Sequence, residues 1–196
     1  MLVSPNIVKA FEIVDRKDFV KPEYKERTYE DRPLAIGLGQ TISQPSTVAF
    51  MLERLGVEKG DKILDVGSGS GWTTALLSYL TGSKGEVIGV ERLEPLLKFG
   101  SVNIKKYSYG PTKIVRAEEE FGFKEEGPYN KILVSAAAQE IPQELIGQLK
   151  VGGTLVLPVK SSIYKVTKIS ENDIEHDEYN GFSFVPLVRD AIEDDI

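Results

Sequence analysis

The feature that most constrains this chain is a glycine-rich run at residues 62–72, which follows an apolar segment and precedes a helical one. Its glycines are Gly67, Gly69 and Gly71, and an acidic residue, Glu91, ends the next apolar segment, 20 residues after Gly71. Where a strand leads through such a turn into a helix, a nucleotide can approach the backbone of the turn closely. A carboxylate at the tip of the next strand accepts hydrogen bonds from ribose hydroxyls. The arrangement therefore predicts a site for the adenosine part of a cofactor.

The glycine spacing indicates which cofactor this is. Dinucleotide-binding chains follow G-x-G-x-x-G, whereas this run follows G-x-G-x-G. Asp65 stands in the preceding strand, where its charge would repel a pyrophosphate but suit the sulfonium and amino groups of S-adenosylmethionine. We therefore expect S-adenosylmethionine, with NAD as the disfavoured alternative. The cofactor-binding residues predicted from this run are Asp65, Gly67, Ser68, Gly69 and Glu91.

Both acidic residues also have a structural interpretation. Asp65 could stabilise the turn or the helix end, and Glu91 could stand at the start of a helix. Trp72, directly after the turn, could pack near the cofactor or belong to the core. These alternatives stay open at the level of sequence.

Composition excludes several other classes of protein. The chain of 196 residues has a net charge of −6, which argues against nonspecific nucleic-acid binding. It has no cysteine and one histidine, His176, so we expect no disulfide and no cysteine- or histidine-rich metal site. Residues 1–10 do not resemble a signal peptide, and no apolar run is long enough to span a membrane. A cytoplasmic protein without nucleic-acid or membrane partners is the expectation.

The order of segments predicts a doubly wound α/β fold. Helical periodicity covers residues 5–14, 46–55, 73–80, 95–104 and 141–149. Strands are predicted at residues 62–66, 86–91, 113–116, 130–135, 153–159, 163–169 and 182–187. Their alternation implies a mostly parallel seven-stranded sheet with helices on both faces. No helix separates the last two strands, so they are expected to form an antiparallel C-terminal hairpin joined by the polar residues 171–180.

One domain is expected over the whole chain. At 196 residues the length suits a single domain whose core is large enough to fold alone. Within it, residues 1–45 are expected to supply an N-terminal helix and an irregular segment that covers the cofactor and substrate. The acidic tail, residues 190–196, is expected to be frayed.

Several motifs give the chain a family resemblance. The run LDVGSGSGW at 64–72, with Glu91, resembles class I S-adenosylmethionine-dependent methyltransferases. The segments AFEIVDRKDFV at 10–20, YEDRPLAIGLGQTISQP at 29–45 and PYNKILVSAAA at 128–138 are similar to those of protein-L-isoaspartate O-methyltransferases. The most specific block is GQTIS at 39–43, which most other methyltransferases lack. The resemblance covers about residues 7–160.

The resemblance implies repair of damaged protein. Such enzymes methylate the α-carboxylate of L-isoaspartyl residues in proteins or peptides, and the ester recloses to a succinimide that partly hydrolyses to normal aspartate. It implies that Ser43 is the active-site serine that holds this carboxylate. It implies substrate contacts by Gln40, Thr41, Ser43, Ala137 and Ala138. It adds to the cofactor site Ile42, Gln44, Pro45, Ser46, Ala117 and Glu118. No metal is implied, and a monomer is the expected state.

The chain departs from the family pattern at two places. Ala117-Glu118-Glu119 stands where the family usually has Gly-Asp-Gly, whose Asp binds the adenine amino group, and Ser46 stands where it often has His. Glu118 could instead belong to a solvated acidic run, and Ser43 could merely cap the following helix. The alternatives to isoaspartyl repair are a methyltransferase acting on another carboxylate or small molecule, and a catalytically silent cofactor-binding relative.

Overall fold

The structure, a computed structural model, describes residues 3–189 and is built on a seven-stranded sheet. The strands are β1 (Leu34–Gly37), β2 (Gln40–Ile42), β3 (Lys62–Val66), β4 (Glu86–Glu91), β5 (Thr112–Arg116), β6 (Tyr129–Val134), β7 (Leu149–Val159), β8 (Ser162–Lys168) and β9 (Ile174–Asn180). The α-helices of the described residues are α1 (Pro5–Ile13), α2 (Pro45–Leu55), α3 (Trp72–Thr81), α4 (Glu94–Asn103) and α5 (Gln143–Gly147). β1 and β2 form a separate hairpin.

The order of strands places a crevice at the centre of the main sheet. The order is β5-β4-β3-β6-β7-β8-β9, with parallel pairing from β5 to β7 and antiparallel pairing from β7 to β9. The chain proceeds outward from β3 to β5, then returns to the other side of β3 as β6. Ligands bind beyond the carboxyl ends of strands at such a reversal. The predicted doubly wound, mostly parallel seven-stranded sheet is confirmed.

The two faces of the sheet bury separate apolar clusters. One cluster joins Ile63 and Leu133 to the buried faces of α1, α2 and α3, and the other joins Leu64 and Ile132 to α5. Consecutive apolar residues therefore serve opposite faces, as expected for parallel strands covered on both sides. The predicted helices on both faces are confirmed.

The identity of the last strand differs from the prediction. The sheet ends with Ile174–Asn180, whereas residues 182–187, predicted as a strand, run outside the sheet with one isolated bridge, Ala137 to Pro186. Phe182 packs on Phe50, with ring centroids 5.0 Å apart. The apolar residues of this segment therefore serve packing on α2 rather than strand pairing. The antiparallel hairpin at the sheet edge exists, but its second strand is the polar segment that was predicted as a connection.

Smaller differences concern element bounds. The helix predicted at 141–149 spans only Gln143–Gly147, because Leu149 already belongs to β7. The segment after α1, expected to be irregular within residues 1–45, contains two short 3-10 helices, Arg16–Phe19 and Pro22–Arg27, followed by β1. The tail at 190–196 lies outside the described residues.

Candidate active site

The glycine turn joins β3 to α3 and uses two of its glycines for different purposes. Gly67 and Gly71 have φ values of 77° and 88°, in the left-handed region that favours glycine. A Cβ on Gly71 would lie 2.8 Å from Ile104 Cγ2 and 3.1 Å from the carbonyl oxygen of Gly100, so α4 can pack closely only on a glycine. A Cβ on Gly67 would meet nothing within 4 Å. That open space belongs to a cleft, so Gly67 leaves room for a ligand.

The cleft lies beyond the carboxyl ends of β3, β4 and β6, at the reversal of strand order where sheets of this kind bind ligands. Of the predicted site residues, it is lined by Gln40, Thr41, Ile42, Ser43, Gly67, Ser68, Gly69 and Glu91. Ile36 and residues 40–43, on the β1–β2 hairpin and after it, therefore face the glycine turn across the cleft. The Cδ1 atom of Ile36 would lie 3.2 Å from a Cβ on Gly69, so the hairpin closes tightly on the turn.

A second recess continues the cleft in the direction of β5. The two recesses share Gln40, Gly67 and Ala136, and the second is walled by Ala117 and Glu118. Together they form one trough, which we call the cofactor trough, with Ser43 at one end and Glu118 at the other. Phe121 and Arg189 also line the second recess, where the Arg189 guanidinium carbon lies 4.3 Å from the centroid of the Phe121 ring.

Glu91 is held on the wall of the trough by backbone groups. Its side chain is 6 % exposed, Oε2 accepts from Gly69 N at 2.9 Å, and Oε1 accepts from Leu93 N at 3.0 Å. These bonds fix the carboxylate beside the turn, and each oxygen keeps a further lone pair for a hydroxyl donor. Glu91 therefore braces the start of α4, as its structural interpretation proposed, and it also lines the cleft, where binding of a ribose stays a prediction.

Asp65 lies beneath the turn and does not line the trough. It is fully buried, and Oδ2 accepts from the hydroxyls of Thr73 at 2.7 Å and Thr74 at 2.6 Å. Oδ1 has no partner among the described residues. Burial raises the pKa of Asp65 from 3.8 to about 6, against the opposing effect of the threonine hydroxyls. Its visible contact with the trough is indirect, through Thr73, which does line it.

Ser43 lies where the trough meets a second groove. It lines both, and its hydroxyl has no hydrogen-bond partner among the described residues. The N-cap residue of α2 is Gln44, whose side chain makes no capping hydrogen bond. The N-terminus of α2 is capped by the Asp31 side chain, which accepts from Ser46 N at 2.9 Å. The bond from Ser46 N lowers the pKa of Asp31. The interpretation of Ser43 as a helix cap is therefore wrong, and its hydroxyl is free to bind a ligand.

This second groove, which we call the peptide groove, runs from Ser43 along residues 181–185. Its lining consists of Pro33, Thr41, Ser43, Gln44, Thr47, Ser135 and residues 181–185. No charged side chain of the described residues is among them. The groove wall is tied to the sheet, because Ala137 N donates to the Val185 carbonyl at 2.8 Å and Leu187 N donates to the Ala137 carbonyl at 2.8 Å.

The structure does not bring every predicted residue to the trough. Pro45, Ser46, Ala137 and Ala138 line neither recess. Ser46 is instead part of the cap of α2, and Ala137 and Ala138 carry bridges to Pro186 and Val159. Gln44 lines the peptide groove but neither recess, and Asp65 lies beneath the turn. The roles assigned to the site residues all stay predictions.

Other lining residues were missed from the sequence. Ser135 directly follows β6, and its place at the carboxyl end of a central strand was a usable signal. Thr73, Phe121 and Arg189 had no such signal. Trp72 belongs to the core, because it is 2 % exposed and packs on Phe11 with ring centroids 5.2 Å apart. It also lines the cleft, so its packing near the cofactor stays a prediction.

The described residues contain neither a cluster of metal ligands nor a membrane-spanning helix. No group of three or more histidine, cysteine or acidic side chains is placed to hold a metal ion in residues 3–189. No helix in the same range is long and apolar enough to cross a membrane. His176 is exposed on β9.

Comparison with known proteins gives consistent matches over nearly the whole chain. A family model described as protein-L-isoaspartate(D-aspartate) O-methyltransferase (PCMT) matches residues 1–191. A protein-L-isoaspartate O-methyltransferase of Methanothrix thermoacetophila is 38 % identical, over 95 % of this chain and 89 % of its own. One from Thermococcus onnurineus is 39 % identical, over 94 % and 86 %. A Plasmodium falciparum structure described as this type of enzyme, in complex with S-adenosyl-L-homocysteine, is 29 % identical with a TM-score of 0.86, over 96 % and 93 %.

Proposed function

Since this chain belongs to the protein-L-isoaspartate O-methyltransferase family, we propose that Ser43 holds the acceptor carboxylate at the junction of the cofactor trough and the peptide groove. The chain is an S-adenosylmethionine-dependent enzyme that methylates the α-carboxylate of L-isoaspartyl residues in proteins or peptides. The observation that carries the Ser43 assignment is that Ser43 lines both cavities while its hydroxyl has no hydrogen-bond partner among the described residues.

The reaction makes modest demands on acid or base groups. A peptide α-carboxylate has a pKa of about 3.5, so it is ionised at neutral pH and needs no base. When bound, S-adenosylmethionine supplies a methyl group that its sulfonium already activates. What this chain must add is alignment of the carboxylate and exclusion of water. Hydroxyl and backbone groups are sufficient for that task, which fits the absence of histidine and charged side chains from the described lining of the peptide groove.

The residues of the trough fit the cofactor. Gly67 leaves space where any other residue would project a side chain, and Glu91 presents a carboxylate suited to ribose hydroxyls. We assign the adenine end to Ala117 and Glu118, since Glu118 retains an acceptor at the far wall of the second recess. Asp65 would act through Thr73 rather than by direct contact.

The cover of the cofactor is assigned to the segment around Ser43. Ile42 lines the trough, and Gln44, Pro45 and Ser46 follow it into α2. Asp31 anchors this segment from the N-terminal side, because it binds Ser46 N and accepts from Gln44 Nε2 at 3.1 Å. Residues 1–45 would thus cover the site within a single domain of residues 1–196.

The substrate is assigned to the peptide groove as an extended segment. Gln40 and Thr41 would contact it beside Ser43, and Ala137 and Ala138 would support the opposite wall through their bridges. An uncharged groove discriminates little between flanking side chains, which suits damage that arises in many sequence contexts. An isoaspartyl residue would be selected by where its carboxylate falls rather than by its neighbours.

Substitution of Ser43 tests the assignment. Ser43→Ala should lower kcat on an isoaspartyl peptide by about tenfold to a hundredfold, the worth of one hydrogen bond to a charged group. The dissociation constant for S-adenosylhomocysteine, measured by calorimetry, should change little. Ser43→Thr, which keeps a hydroxyl, should recover part of the rate, and Ser170→Ala, on the turn between β8 and β9, is the matched control. An unchanged kcat for Ser43→Ala would remove Ser43 from the mechanism.

Two further predictions concern assembly and location. We propose that the enzyme acts as a monomer in the cytoplasm, without a nucleic-acid partner. Light scattering on the purified protein and fractionation of the source cells test these points, and a stable dimer or a membrane-bound fraction would contradict them.

A further inference from the structure

The most unusual charged group outside the trough is Arg16. Its side chain is 2 % exposed although it lies in the N-terminal segment, which the sequence marks as polar. The guanidinium donates from Nη1 to the Thr28 carbonyl, and from Nη2 to the carbonyls of Arg32 at 3.1 Å and Ser43 at 3.0 Å. One side chain thus joins three separate stretches of the segment that covers the active site.

The charge of Arg16 is not balanced by a direct ion pair. No carboxylate of the described residues lies within ion-pair distance, and Nε is buried without a partner. Burial lowers the pKa of Arg16 to about 10, and Asp31 opposes this only by its longer-range attraction. A buried cation of this kind is expensive, and an apolar side chain usually fills such a space at lower cost. Stability alone therefore does not account for an arginine at this position.

The fork geometry of arginine supplies another explanation. Only a planar guanidinium presents several N–H donors in fixed directions, so it can hold several carbonyls in one arrangement. The same group stacks on Trp72, with its central carbon 5.2 Å from the ring centroid. Trp72 begins α3 directly after the glycine turn and lines the trough beside Ser43. Arg16 therefore connects the carbonyl of Ser43 to the helix that carries the cofactor turn.

We propose that Arg16 is a positioning residue for methyl transfer, which fixes the backbone at Ser43 relative to Trp72 and so aims the Ser43 hydroxyl at the junction of the two cavities. This inference rests on the assignment of Ser43 made above. A displacement of a reacting group by about 1 Å can lower the rate of reaction about a hundredfold while ligand affinity is kept. Arg16 itself touches neither cavity, so its effect passes through Ser43.

The first arm of the test compares three variants of the full chain. Arg16→Met should lower kcat on an isoaspartyl peptide by about tenfold to a hundredfold, with a smaller change in the dissociation constant for S-adenosylhomocysteine. Arg16→Lys, which keeps the charge but not the fork, should fall between Arg16→Met and the wild type. Arg27→Met is the matched control, because Arg27 lies in the same segment and its ion pair within residues 3–189 is with exposed Glu30. All assays are run below the melting temperature of each variant.

The second arm is a double-mutant cycle with Ser43→Ala. If Arg16 acts through Ser43, Arg16→Met should cost less than about threefold in kcat once the hydroxyl is gone. A role in stability alone would give the same loss in both backgrounds and would overturn the inference. If Arg16→Met does not yield folded protein, Arg16→Lys takes its place in the cycle.

The outcomes separate this inference from the assignment on which it rests. A slow Ser43→Ala with a normal Arg16→Met would overturn the role of Arg16 alone. A Ser43→Ala variant with the kcat of the wild type would overturn both the role of Arg16 and the assignment of Ser43. Slow single variants with a non-additive double variant support the inference.

Discussion

Asp65 makes the most quantitative prediction, because a buried carboxylate with one unpartnered oxygen links stability to pH. In the unfolded chain its pKa is near the ordinary 3.8, whereas burial raises it to about 6 in the folded protein. Between these values the folded state holds a proton that the unfolded state has lost. The contribution of Asp65 to stability is therefore largest below pH 3.8, falls as pH rises, and levels off above about pH 6.

The size of the effect follows from the two pKa values. The difference between 3.8 and about 6 corresponds to about 3 kcal/mol, which is the cost of ionising Asp65 in the folded state at neutral pH. Asp65→Asn keeps an oxygen acceptor for Thr73 and Thr74 but cannot ionise. The variant should therefore gain stability relative to the wild type by about 2 to 3 kcal/mol between about pH 4 and about pH 7.

Urea unfolding followed by circular dichroism, at several pH values across this range, measures the difference. The test is how the difference in free energy of unfolding between the two proteins changes with pH. Its absolute value is less informative, because the new amide adds an offset that does not depend on pH. Asp173→Asn removes a carboxylate on the turn between β8 and β9 and controls for the change in net charge. Parallel stability profiles for the wild type and Asp65→Asn would refute the claim that Asp65 is protonated in the folded protein near pH 5.

Two other predictions concern the trough. Gly100→Ala would bring a Cβ to 2.8 Å from the Gly69 carbonyl oxygen and 2.9 Å from Ile114 Cδ1. It should therefore destabilise the fold by about 1 to 3 kcal/mol and weaken S-adenosylhomocysteine binding, and thermal unfolding with and without this ligand measures both effects. Gly147→Ala is the control, because its Cβ meets nothing within 4 Å. Glu91→Gln should raise the dissociation constant for S-adenosylhomocysteine by about tenfold or more, since a charged acceptor for ribose hydroxyls is lost; unchanged affinity in calorimetry would show that Glu91 only braces the turn.

The central sheet was predictable from sequence because its strands are short apolar runs separated by turn residues. The edge was not, since β9 is a polar segment whose residues are mostly exposed. An edge strand pairs on one side only, so it can be recruited by backbone hydrogen bonds to β8 without an apolar face. Residues 182–187 misled the prediction in the opposite way, because Phe182 is apolar for packing on α2 and not for pairing.

The site was predictable where local geometry dictates the residue, and not where a contact crosses the fold. Gly67 and Glu91 follow from the strand–turn–helix pattern and its spacing. The burial of Asp65 was not evident, because a carboxylate in a strand could equally face a ligand or the threonines of the next helix. The burial of Arg16 was not predictable from sequence, since an arginine in a charged segment is normally solvated. Only the folded chain shows the carbonyls of Thr28, Arg32 and Ser43 converging on it.

The most direct test of the account is methyl transfer from labelled S-adenosylmethionine to an isoaspartyl peptide, compared with the same peptide containing normal aspartate. The label is collected as methanol after base treatment, because methyl esters of this type are labile. Labelling of the isoaspartyl peptide alone is the predicted result, and it would also show that Ala117-Glu118-Glu119 serves in place of the family's Gly-Asp-Gly. Equal labelling of both peptides, or no labelling by protein that binds S-adenosylhomocysteine, would contradict the account.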